Sequence, residues 1–161
     1  MKKITLHPLF FALPVLFFMS LGIISIANAS SSKSPKEIVQ NCFKDLVEAK
    51  DWDELTFAKY FSKDYIQVVN SKTLNYTECQ KHLKFLKDNF KNIKITIHEI
   101  ITENNKVVTR HTSNTVKNDD SQAETDLIAI FEIKDDKIIS CRELTHMVKG
   151  AKSDEDIGSR H

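Results

Sequence analysis

Asn92-Ile93-Lys94-Ile95-Thr96-Ile97-His98 alternates polar and apolar side chains without a break, the period-two pattern of a strand with one buried face. Working outward, Asn104-Asn105, Asp119-Asp120 and Asp135-Asp136 separate three further runs of the same kind. Asn and Asp form turns and tolerate a left-handed backbone. The spacing therefore predicts strands at about 92–103, 106–117, 123–134 and 137–148, joined as an antiparallel meander. Upstream, Tyr65 to Asn70 reads as an earlier short strand. Lys36 to Lys149 contains neither Gly nor Pro, so every turn in it must use other residues.

Before residue 92 the period is helical. Ser34-Pro35-Lys36-Glu37 is a capping box with proline at the first helical position. Ile38, Val39, Cys42, Phe43, Leu46 and Val47 then share one face, giving an amphipathic helix over 35–49. Trp52, Leu55, Phe57, Tyr60 and Phe61 suggest a shorter helix ending before Asp64. A second capping box is read at Thr77 to Gln80, opening a helix from about 77 to 90 with Cys79, Leu83, Leu86 and Phe90 on its apolar side. Three helices followed by a long curved antiparallel sheet make an α+β fold with helices covering one sheet face.

Lys2 and Lys3, an apolar run from Leu9 to Ile26, and Ala27-Asn28-Ala29 form a leader with a small-x-small cleavage pattern. Pro14, Ser20 and Gly22 within the run favour cleavage over a retained span. No cysteine follows until Cys42, which argues against a lipid-anchored lipoprotein start. The expectation is an exported protein, periplasmic or secreted, with a signal peptide at 1–29, one domain at 30–149 and a frayed polar tail at 150–161.

The chain has 161 residues, 23 Lys+Arg against 22 Asp+Glu, and three cysteines. That balance excludes a nucleic-acid or membrane-surface binder driven by a basic field. The lysines at 81, 84, 87 and 91 read as one solvated helix face. The absence of glycine between 23 and 149 excludes a phosphate-cradling loop and a nucleophile elbow. No His-x-x-x-His or close Cys/His spacing points to a metal, and nothing asks for a cofactor. Cys42, Cys79 and Cys141 fall on apolar faces, so they read either as buried thiols or, after export, as a disulfide with one thiol left over.

Three strings carry a resemblance to a known family: Tyr60-Phe61…Asp64-Tyr65-Ile66-Gln67, Lys106-Val107-Val108-Thr109-Arg110, and Phe131-Glu132-Ile133-Lys134-Asp135-Asp136-Lys137-Ile138. With the order of elements, they resemble the SnoaL-like, nuclear-transport-factor-2-like (NTF2-like) superfamily over residues 36–148. The resemblance implies a cone in which helices and a curved sheet enclose a pocket, often in a homodimer. It also implies a choice among isomerases, polyketide cyclases, dehydratases and non-catalytic binders. Where cyclase-like members commonly carry a pocket histidine after the glutamine, this chain has Gln67-Val68-Val69. Arg142 stands where a tryptophan is frequent and Glu143 where an aspartate is frequent.

Strand parity places Ile139, Cys141, Glu143, Thr145 and Met147 on one face. A carboxylate among apolar neighbours has its pKa raised, as a base working near neutrality requires. Glu143 is the first candidate base, with Tyr65 or His111 as hydrogen-bond donor and Asp126 as a further member. The competing reading pairs Glu143 with Arg110 or Arg142 at the sheet surface. Trp52, Phe61, Tyr65, Asp126 and Cys141 are the candidate ligand contacts, for a small, mainly apolar molecule. Three functions follow: a binder of that molecule, a general acid–base enzyme of isomerase, cyclase or dehydratase type, or a module for homodimerisation or another protein partner through the exposed sheet face.

Overall fold

The structure, a computed structural model, describes residues 33–160. The leader expected at 1–29 lies outside the described residues.

Ser34 opens α1 (Pro35–Cys42): its side chain accepts from the Glu37 N–H while Glu37 reaches back to the Ser34 N–H. The helix then widens into a π-helical turn over Phe43–Glu48. Asp53 caps α2 (Glu54–Tyr60) by accepting from Thr56. The capping box of α3 (Tyr76–Asn89) is Asn75 with Glu78, not Thr77 with Gln80. Asn75 is extended and accepts from the third helical N–H, a role its amide fills as well as a hydroxyl does.

Six strands form one sheet: β1 (Phe61–Val69), β2 (Lys72–Asn75), β3 (Phe90–Glu103), β4 (Lys106–Lys117), β5 (Gln122–Lys134) and β6 (Lys137–Lys149), in the order β2-β1-β6-β5-β4-β3. The last four are the expected antiparallel meander. β2 is additional, a short hairpin return from β1, and β1 runs parallel to β6. The glycine-free turns hold Asn70, Asn104, Asp120, Asp135 and Asp136 at positive φ, where Asn and Asp are the least penalised of the residues with a Cβ.

Register places the working face. Gln67 pairs with Cys141 and Cys141 with Phe131, which pairs with Val107. In the next inward-facing row Val69, Glu143, Ala129 and Thr109 lie side by side, and beyond it Thr145, Leu127 and His111. A bulge opposite Glu132 and Ile133 puts an extra residue into β6, so Ile138 rather than Ile139 is sealed in the core. Parity holds from Cys141 onward.

α1, its π turn and α3 cover this face, and Val39, Leu46, Phe57, Tyr60, Val107 and Ile138 are fully buried between the layers. Each such large apolar side chain contributes roughly 1.5–3 kcal/mol relative to exposure. Lys87 departs from the solvated-face reading: its ammonium donates to the carbonyls of Val47 and Ala49 and secures the end of the π turn.

The tail is folded, contrary to the expected fraying. Two short 3-10 turns, Lys152–Asp154 and Ile157–Ser159, return it over the helix–sheet gap. Asp154, its side chain only 4% exposed, takes a 2.8 Å ion pair from Lys117 and accepts from the Ala151 N–H. His82 Nδ1 lies 2.6 Å from the Arg160 carbonyl, and the Arg160 guanidinium stands over the Phe85 ring. Charge and polarity led the sequence to suggest a loose end; one buried ion pair overrides them.

Candidate functional site

The helices do not fill the concave side of the sheet. A cavity of about 140 Å³ remains, walled by Phe61, Tyr65 and Gln67 of β1, His111 of β4, Phe131 of β5, and Cys141, Glu143, Thr145 and Met147 of β6. From the helical side come Cys42, Phe43, Cys79, His82 and Leu83, and the tail closes it with Asp154, Glu155, Ile157 and Gly158. The π turn matters here because it presents Phe43 inward, 4.9 Å from the His111 ring and 5.7 Å from Phe131.

Glu143 projects into this space with no hydrogen bond or ion pair to its carboxylate among the described residues. Burial alone lifts its carboxyl to about 7. Neither arginine of the competing reading reaches it: Arg110 pairs with Glu99, and Arg142 is exposed on the opposite sheet face. Gly158 lies close by. A Cβ there would fall 3.3 Å from Val69 Cγ1 and 3.6 Å from Glu143 Oε1, so the bare backbone lets the tail approach the carboxylate.

Tyr65 is buried and its phenol donates to Gln67 Oε1 at 3.4 Å. The Cys79 thiol donates to the same oxygen, also at 3.4 Å. With both bonds on the oxygen, the Gln67 amide nitrogen has no partner among the described residues and remains a donor for a ligand. Desolvation, followed by the neighbouring thiols and Glu143, raises the Tyr65 phenol well above its ordinary value. His111 shares a 3.0 Å hydrogen bond with Thr109 through Nδ1. Burial first, and His98 second, push His111 down to about 4, so it is a neutral imidazole at neutral pH. The three cysteines are free, buried thiols. Burial raises all of them, Cys79 to about 12, which leaves them inert as nucleophiles.

The structure thus brings Glu143, Tyr65, His111, Phe61 and Cys141 to one cavity. It does not bring Asp126 or Trp52. Asp126 alternates with Thr125 and Leu127 and faces outward, where Thr112 donates to it at 2.7 Å. Trp52 precedes α2 and packs on Phe57, 5.7 Å between rings, away from the cavity lining. Sequence reasoning missed Gln67, which strand parity with Tyr65 would have found, and the tail residues, for which no periodic signal exists. Among the described residues no group of three or more His, Cys, Asp or Glu could hold a metal ion, and no helix is long and apolar enough to cross a membrane.

The family model of the SnoaL-like domain matches residues 39–141. The chain belongs to the SnoaL-like domain family. An uncharacterised protein of Schizosaccharomyces pombe is 23% identical over 128 residues, covering 80% of this chain and 98% of that protein. Among solved structures, IdmH of Streptomyces antibioticus, a candidate polyketide cyclase, superposes with a TM-score of 0.59 at 11% identity, covering 70% of this chain and 92% of the other. An epoxide hydrolase of Mycobacterium tuberculosis gives 0.59 at 16%, covering 70% and 82%. An NTF2-like protein of unknown function from Exiguobacterium gives 0.58 at 18%, covering 68% and 98%. At these identities the likeness establishes the NTF2-like fold of this SnoaL-like chain. The family match stops at Cys141, so Glu143 and the tail lie beyond it.

Proposed function

We propose that this SnoaL-like cone binds a small, mainly apolar molecule and acts on it by general acid–base chemistry, with Glu143 as the base. The observation that carries this reading is a carboxylate without a partner among the described residues, poised at about 7 in a mainly apolar enclosure. A group with that value is half ionised at neutral pH and exchanges protons efficiently. Proton abstraction beside a carbonyl also needs donors for the developing oxyanion. The Gln67 amide and neutral His111 fill that need from the wall, and Tyr65 joins them only by giving up its bond to Gln67 Oε1. The cyclase and hydrolase names among the structural neighbours are compatible with such chemistry.

The test uses α-proton exchange. Small cyclic ketones are incubated with the protein in D₂O and proton loss is followed by NMR. The expected result is exchange faster than buffer in the native protein and at the buffer rate in Glu143→Gln. Equal exchange in both proteins discards the base assignment.

The outer sheet face supports a second reading, self-association. Ile66, Ile128, Ile130 and Leu144 are exposed there, with Leu144 67% accessible and directly paired with Ile128. Exposed apolar side chains gathered on one sheet face favour an interface, and a second copy of the chain is the proposed occupant. The leader leads us to propose further that the protein works after export, which intact-mass measurement of the mature protein tests by loss of residues 1–29.

A further inference from the structure

Among the described residues, the cavity holds the Glu143 carboxylate with no lysine or arginine side chain to match it. The nearby cations are engaged elsewhere: Lys117 with Asp154, Lys72 and Arg160 with Asp156, and Arg110 with Glu99. His111 contributes no charge, and His82 directs Nδ1 at the Arg160 carbonyl. The thiols and the Tyr65 phenol keep their protons because they are buried. Glu155 stands exposed at the rim and adds a second negative charge to the approach.

An unpaired carboxylate in a mainly apolar site is costly, and a hydrogen-bonded partner of opposite sign offsets part of that cost. The walls add a second attraction for cations. Phe43 and Phe131 meet edge-on, Phe61 and Tyr65 lie 4.5 Å apart between centroids, and all four rings border the cavity. Aromatic faces carry negative quadrupole density and draw ammonium groups. Size sets the remaining limit: about 140 Å³ is close to the roughly 150 Å³ apolar cavity that accommodates benzene.

We infer that the cavity selects a small hydrophobic amine of about one ring, its ammonium paired with Glu143 and its apolar body set against the Phe43, Phe61, Tyr65 and Phe131 rings. Carboxylates and phosphates are rejected by the same unmatched charge. This inference rests on the cavity being a ligand site, and it stands whether or not Glu143 acts as a base.

The test is a charge series on one scaffold. Benzylamine, benzyl alcohol and benzoate are titrated into the mature protein at pH 8 by calorimetry. Benzylamine is expected to bind at least ~10-fold more tightly than benzyl alcohol, the worth of one charge-assisted hydrogen bond, and benzoate more weakly than either. Glu143→Gln is expected to bring the amine to the affinity of the alcohol. Equal affinities for amine and alcohol in the native protein, or an amine preference that survives Glu143→Gln, overturn the inference. Absence of binding by all three overturns it together with the ligand-site reading. Failed proton exchange alongside an intact amine preference removes only the base.

Discussion

Lys117 Nζ, at the end of β4, lies 2.8 Å from Asp154 Oδ1 in the tail, and the carboxylate is almost wholly enclosed. The second Asp154 oxygen accepts from the Ala151 N–H. This one side chain therefore joins the tail to the sheet and shapes the turn that carries Ile157 and Gly158 to the cavity. Asp154→Ala is expected to cost about 1–3 kcal/mol through the stranded Lys117 charge and the lost turn bond. Limited proteolysis should then cut between Gly150 and Arg160, while native protein resists. Equal resistance in both would show that other contacts hold the tail.

Gly150 is the tail's point of departure, at φ +149°, and a Cβ there would come within 3.0 Å of Met147 Sδ and 3.1 Å of Ala123 Cβ. Gly150→Ala should reproduce the protease sensitivity of Asp154→Ala without touching any charge, since an L side chain is strained at that φ.

Glu143 makes stability depend on pH. Its carboxyl moves from 4.5 unfolded to about 7 folded, so the folded state holds the proton more tightly. The contribution is complete below pH 4.5 and is lost as pH rises through 7. Glu143→Gln should therefore match the native protein at pH 4 and exceed its stability at pH 8 by on the order of 3 kcal/mol. Denaturant titrations at the two pH values check the sign. A variant less stable at pH 8 would mean the carboxylate is held by a partner after all.

His111 acts at the acid end. With a folded value of about 4 against 6.5 unfolded, protonation favours the unfolded chain, so stability falls as pH drops from about 6.5 through 4. Removing the imidazole with His111→Asn should flatten that limb of the stability profile, even if it lowers stability at neutral pH. A limb of unchanged slope would assign acid sensitivity to other groups.

On the outer face, Leu144→Arg should leave the protein folded and monomeric, because Leu144 supports no core contact and a charge beside Arg142 opposes apposition. Sedimentation should show dimers for the native chain and monomers for the variant. Monomeric native protein at high concentration removes the self-association reading.

Much of this was legible before any coordinates. Strict alternation around Ile93–Ile97 and the paired Asn and Asp turns located four strands nearly to the residue, because period and turn chemistry are local properties. Parity placed Cys141, Glu143, Thr145 and Met147 correctly for the same reason. Ile139 was misplaced because a bulge reverses parity, and nothing in Ile138-Ile139-Ser140 announces one. Parity sets Asp126 on the outer face, because its neighbours Thr125 and Leu127 line the cavity. The parallel pairing of β1 with β6, the inward turn of Phe43 and the enclosure of Asp154 depend on partners dozens of residues away. Those contacts leave no periodic trace in the chain.

The tail has one more consequence. The portion matched by the family model supplies most of the chamber wall, while Glu143, Thr145 and Met147 of β6 and the tail residues Asp154, Glu155, Ile157 and Gly158 come from beyond the end of that match. Lengthening, trimming or repolarising this short appendage would change which groups border the chamber.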